Sequence, residues 1–146
     1  MLPVPIVQLD PELPLPAYAH PGDAGLDLRA RDSGIVAPGG GRLLMPTGIS
    51  IAIPLGYAGF VLPRSGNALK HGLTVANAPG LIDAGYRGEV ICATVNLDRE
   101  TPVEVHVGDR IAQLVIVVLP AVDPAWADEL PDTARGDGGF GSTGTS

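Results

Sequence analysis

VEVHVGDRIAQLVIVVL (103–119) is the stretch on which the fold turns. Val103, Val105 and Val107 alternate with Glu104 and His106, the period of a strand buried on one face. Gly108-Asp109 is a turn signal. From Ile111 to Leu119 the residues are almost continuously apolar, so both faces of the second strand need cover. In a small β domain that second cover can be another subunit. The same grammar of short apolar runs between turn signals extends through the chain. It predicts strands near Val4–Leu9, Ala24–Arg29, Gly34–Ala37, Arg42–Pro46, Gly48–Ile53, Tyr57–Leu62, Leu73–Ala76 and Glu89–Leu97, besides Val103–Val107 and Arg110–Leu119. One short helix is predicted over 65–70, closed by Gly72, with Ser65 as its N-cap.

Composition agrees. The 146 residues include 20 Gly and 15 Pro, about a quarter of the chain, and both residues disfavour helix interiors. An apolar fraction of 45% marks a folded chain, long enough for one domain with a real core. The net charge of −7 and the 4% aromatic content argue against a polymeric nucleic acid as partner, because phosphate neutralisation needs a basic face. A small phosphorylated ligand needs only a few cations and backbone N–H groups, and stays open. Cys92 is the only cysteine and sits in an apolar run, so a buried, inert thiol and a cytoplasmic location are expected. The start of the chain lacks a signal-peptide pattern, and the longest apolar run is too short to span a bilayer.

Five segments join glycines to polar residues: AGLDLRA (24–30), PRSG (63–66), NAPGLIDAGYRGE (77–89), GDRIAQL (108–114) and the tail RGDGGFGSTGTS (135–146). In PRSG, an anion would meet the Arg64 guanidinium, the Ser65 hydroxyl and the backbone beside Gly66, although an ordinary turn explains the motif equally well. In the third segment Asp83 is either a turn residue or a base; Asn77 and Tyr86 nearby are suited to hold a heterocycle by its edge and face. Asp27 alternates with Leu26 and Leu28, either as a solvent-facing strand acid or as part of a metal–water system with Asp83. Asp109 and Arg110 can pair with each other or with a neighbour, and Gln113 needs a hydrogen-bond partner if buried. The tail is either a disordered terminus or an arm that orders on an anion.

In their order and spacing these five segments resemble the motifs of the trimeric dUTPase family, from Ala24 to Gly144. The resemblance implies an all-β, jelly-roll-type β-barrel (β-clip) over residues 1–120. A connecting segment and phosphate-binding arm over 121–146 would be exchanged between the subunits of a homotrimer. It implies hydrolysis of dUTP to dUMP and pyrophosphate, which keeps uracil out of DNA and supplies dUMP for dTMP synthesis. Asp83 would be the base for the water attacking the α-phosphorus, and Asp27 would hold Mg²⁺ through water. Tyr86 would pack below the deoxyribose and exclude a 2′-hydroxyl. Asn77, Gly80, Leu81, Ile82 and Ile91 would read uracil in a narrow β-hairpin pocket. Arg64, Ser65, Gly66 and Gln113 would hold the phosphates, with Arg110 as a scaffolding ion pair. Arg135, Phe140, Gly141, Ser142, Thr143 and Gly144 would form the arm, the ring of Phe140 stacking on uracil. Two rivals differ from this reading. A dCTP deaminase-type or bifunctional member of the same fold would carry a glutamate in the third motif in place of the Asp-Ala-Gly-Tyr run at 83–86. A non-catalytic nucleotide-binding trimer would have lost Asp83, Asp27 or the arm.

Overall fold

The structure, a computed structural model, describes residues 1–139. Ten strands and one helix follow in the order β1 (Ile6–Gln8), β2 (Leu26–Arg29), β3 (Gly34–Val36), β4 (Arg42–Ile51), β5 (Tyr57–Leu62), α1 (Ser65–His71), β6 (Leu73–Val75), β7 (Gly80–Ile82), β8 (Glu89–Asn96), β9 (Val103–Val105) and β10 (Arg110–Val118). They form two four-stranded antiparallel sheets, β1-β4-β8-β6 and β2-β10-β5-β7, plus the ribbon β3-β9. Both large sheets contribute to one core, with Met45, Ile51, Val90 and Cys92 from the first and Leu28, Val61, Ile111 and Leu114 from the second. Two such sheets around one core are the jelly-roll arrangement. No helix of the described residues is long and apolar enough to cross a membrane.

Three sequence expectations are corrected. The predicted break at Pro46-Thr47 is a bulge inside one long strand, β4, whose pairing with β8 shifts register between Pro46 and Ser50. Proline has no N–H for the ladder, and a bulge is where a strand can accommodate it. β7 was not foreseen, because Leu81 is exposed between buried Gly80 and Ile82 and the run is only three residues long. Ser65 is not the N-cap: Arg64 occupies that position with extended backbone and no side-chain cap, and Ser65 is the first helical residue. The helix does end as expected, at Gly72 in the left-handed region (φ 67°). A side chain there would also collide with the backbone nitrogen of Asp98, 2.5 Å from an ideal Cβ.

The two ends of β10 fare differently. Ile111, Ala112 and Leu114 are buried, Val115 to Val117 are half-buried, and Val118 is 72% exposed. Within one chain the far end of this strand is left uncovered. Beyond Val118 the described residues form no strand or helix, and every residue from 119 to 137 is exposed.

Candidate active site

Sheet registration assembles the first cluster. Gln113 of β10 lies opposite Asp27 of β2 on one side and Leu62 of β5 on the other. One Asp27 carboxylate oxygen is 3.0 Å from Nε of Arg64, and the other is 3.3 Å from Nη1 of Arg110. The carboxylate is only 15% exposed, so it requires this compensation. Asn67 of α1 donates to the backbone carbonyl of Arg110 (2.9 Å), tying the helix to the start of β10. Gln113 donates to the carbonyl of Pro63 (2.9 Å), and its side chain lies over Gly25, where a Cβ would come 2.5 Å from Oε1. Ser65 and Gly66 are exposed beside this cluster. Arg110 is thus the expected scaffolding ion pair, and Arg64 is shared between that scaffold and the surface where phosphates were expected. Asp109 instead receives the backbone N–H of His106 (2.9 Å).

The second cluster lines a cavity of about 170 Å³ where the chain passes from one sheet to the other. Asn77, Gly80, Leu81, Ile82, Tyr86 and Ile91 all border it, with Val61, Val75 and Val90 beneath. The expected β-hairpin is absent: β7 pairs with β5, whereas β8 pairs with β4 and β6. Gly80 sits close to its neighbours, since a Cβ there would stand 3.3 Å from Val61 Cβ and 3.4 Å from Asn77 Nδ2. The Ala78–Pro79 peptide between Asn77 and Gly80 is cis. Asp83 is exposed and opens a turn in which its carbonyl accepts the N–H of Tyr86 (3.0 Å). Among the described residues, none of the ion pairs involves Asp83. The Tyr86 hydroxyl donates to the carbonyl of Glu89 (2.9 Å).

The clusters do not meet within one chain. Gly80 lies opposite Val61, so Asp27 and the pocket are separated by three strand spacings, about 14 Å. A larger cavity of about 480 Å³ borders Arg64 and Arg110 but no residue of the second cluster. It is bigger, yet the smaller cavity gathers more of the expected chemistry. Among the described residues no group of three or more His, Cys, Asp or Glu side chains could hold a metal ion. Among the described residues, Arg135 donates to the carbonyl of Gly138 in its own turn (2.9 Å). Phe140, Gly141, Ser142, Thr143 and Gly144 lie outside the described residues. Sequence reading gave no role to Glu89, whose carboxylate meets Arg31 at 3.2 Å and the Gly48 N–H at 2.8 Å. Nothing short of the bulge in β4 reveals that partnership.

Comparison with known proteins agrees with this geometry. The dUTPase family model matches residues 11–144. The chain is 58% identical to the deoxyuridine 5′-triphosphate nucleotidohydrolase of Thermobifida fusca (strain YX) over 141 residues, 97% of this chain and 78% of that protein. It is 56% identical to the protein of the same description from Corynebacterium glutamicum over 139 residues, 95% and 93% of the two chains. A dUTPase of Staphylococcus bacteriophage 80alpha, solved with dUpNHpp, superposes with a TM-score of 0.90 at 27% identity, covering 99% of this chain and all of that one. Sequence, fold and the two residue clusters converge on one assignment: this chain belongs to the dUTPase family.

Proposed function

We propose that the chain hydrolyses dUTP to dUMP and pyrophosphate at sites assembled between copies, each joining the Asp83 cluster of one chain to the Asp27 cluster of another. The observation that carries this reading is the cavity of about 170 Å³ beside Asp83, bordered by Asn77, Gly80, Leu81, Ile82, Tyr86 and Ile91. Its small volume and mixed backbone, amide and aromatic lining suit a pyrimidine deoxynucleoside. Buried donors and acceptors that match uracil leave cytosine with unpaired groups, and a tight wall has no room for the thymine methyl. Tyr86, on the border of the cavity, is assigned to the deoxyribose, where its ring would exclude a 2′-hydroxyl. Asp83, exposed and outside every described ion pair, is available to take a proton from the water that attacks the α-phosphorus. The α–β phosphoanhydride bond then breaks and pyrophosphate leaves.

Arg64, Ser65, Gly66 and Gln113 are assigned to the phosphates. Gly66 supports this, because a Cβ there would meet nothing within 4 Å and the fold itself does not require glycine. The donor set fits Mg²⁺ rather than a protein-caged ion, since the described residues offer no three-ligand group. Each oxygen of Asp27 holds one guanidinium and keeps further lone pairs, so it can accept a metal-bound water. When bound, the ion offsets charge on the departing pyrophosphate and fixes the triphosphate.

The separation of the clusters and the uncovered end of β10 support shared sites, and the family resemblance supplies the homotrimer. Residues 1–120 are assigned to the barrel and 121–146 to the connecting segment and arm, with Arg135, Phe140, Gly141, Ser142, Thr143 and Gly144 as the arm residues assigned to the nucleotide. The lone, buried Cys92 suits a cytoplasmic protein. Pyrophosphate release from dUTP, dCTP, dTTP and UTP, with Mg²⁺ and with chelator, tests the reading. Release from dUTP alone, lost on chelation, is expected. Release from dCTP as well, or from none of the four, overturns it.

A further inference from the structure

We infer that Glu89 and Arg31 are positioning residues for the sugar platform, setting the discrimination between dUTP and UTP without touching nucleotide. The inference rests on the assignment of Tyr86 to the deoxyribose. It starts at the bulge in β4. The register shift between Pro46 and Ser50 leaves the Gly48 N–H without a partner in the β4–β8 ladder. The Glu89 carboxylate accepts that N–H at 2.8 Å. The same carboxylate takes Nη1 of Arg31 at 3.2 Å, and Arg31 reaches back to Asp10 at 3.9 Å. Thr47 closes the arrangement by donating to the carbonyl of Val90 (2.7 Å). The first two residues of β8 are therefore fastened to a part of β4 that the ladder cannot hold.

That fastening matters for Tyr86 because its hydroxyl is anchored to the carbonyl of Glu89 itself (2.9 Å). The ring also lies against Gly88, where any Cβ would collide with it. The ring's place is thus set at its tip by the backbone of one residue, and that backbone is held by its pairing opposite Ser50 and by the Glu89 side chain. Releasing the carboxylate removes one of these two restraints, and the ring gains room to yield to a 2′-hydroxyl. A displacement of this kind, under an ångström and remote from the reacting atoms, is enough to change rates tenfold to about a hundredfold.

The experiment measures kcat and KM for dUTP and UTP in the full-length chain and in Glu89→Gln, Glu89→Ala and Tyr86→Phe. Glu89→Gln still offers an acceptor to Gly48 but loses the charge facing Arg31. The expected result is a fall of about tenfold or more in the ratio of kcat/KM for dUTP to that for UTP. It should arise mainly from a lower KM for UTP and be shared by Tyr86→Phe. Combining Glu89→Gln with Tyr86→Phe should cost little beyond either change alone, because both act through one hydrogen bond. A merely structural role would lower the melting temperature and leave the ratio unchanged, and that outcome overturns the inference. Should Glu89→Ala fail to fold, Glu89→Gln decides alone. A wild-type chain that does not prefer dUTP would instead sink the assignment of Tyr86, a result distinct from an unchanged ratio in the variants.

Discussion

Two aspartates, on strand β2 and in the turn after β7, are held in opposite ways. Asp27 is 15% exposed and clasped by Arg64 and Arg110 from two different elements. Asp83 is exposed and belongs to no ion pair among the described residues. Both oxygens of the Asp27 carboxylate are engaged by guanidinium groups, so a water approaching either one meets an oxygen already in an ion pair. The carboxylate is, however, rigidly placed and negative, which suits ordering a hydrated cation. Asp83, next in the chain to the cavity-lining Ile82 and outside every described ion pair, keeps its carboxylate open to a water. The difference teaches that the roles proposed for the two acids rest on what each is bonded to, before any nucleotide is considered.

The largest effect expected from breaking this contrast is at Asp83. Asp83→Ala should reduce kcat for dUTP by a factor of ~10² to 10⁴, the usual contribution of a general base. Binding of dUpNHpp, followed by calorimetry, should be largely unchanged. Equal loss of binding and turnover would make Asp83 a ligand-holding residue and dissolve the contrast. Next in size is removal of residues 135–146. Turnover should fall sharply, whereas stability should change by no more than about 0.5 kcal/mol, because of the removed residues that the structure describes only Gly138 is even half-buried. A truncated chain with full activity would mean the tail takes no part.

How far the sequence alone revealed these regions follows from the kind of interaction each uses. β5 is read residue for residue from its apolar run, and α1 from its closing glycine. Asn77, Gly80, Leu81, Ile82 and Tyr86 were legible because they lie together in NAPGLIDAGYRGE, whereas Val61, Val75 and Val90 join the pocket through sheet pairing. The Asp27–Arg64–Arg110 clasp joins three segments through sheet pairing; the sequence shows that an ion pair is needed but not which acid provides it. Glu89 was invisible for a related reason. Its partner is a backbone N–H exposed by a register shift, and side-chain patterns do not encode where a ladder slips. β7 was missed because three residues give too short a period to read.

A smaller effect should sharpen the first cluster. Gly66→Ala meets no neighbour within 4 Å, so the fold should tolerate it and gain helix propensity. KM for dUTP should nevertheless rise several-fold, by roughly 1 kcal/mol of lost binding, if phosphates approach the backbone there. An unchanged KM would place the phosphates elsewhere and leave Arg64 purely a partner of Asp27.

The last effect concerns the floor beneath the pocket rather than its acids. Ile91 faces the cavity and Cys92 points the other way, into the core, where burial pushes its thiol from 9.0 up to about 12. The folded state holds this proton more tightly than the unfolded chain does. Its stabilising contribution is therefore complete below pH 9 and is lost as pH rises from 9 towards 12. The cost approaches about 1.4 kcal/mol for each unit of pH inside that window. Comparing urea midpoints of the wild type and Cys92→Ala at pH 8 and pH 10 isolates the effect, because other titrating groups are common to both chains. Cys92→Ala should be the less stable protein at pH 8, through the cavity it leaves, and should close part of the gap by pH 10. If the gap stays constant, the floor opens to solvent at high pH without unfolding. The pocket that carries Asp83 would then rest on a softer base than the clasp that carries Asp27.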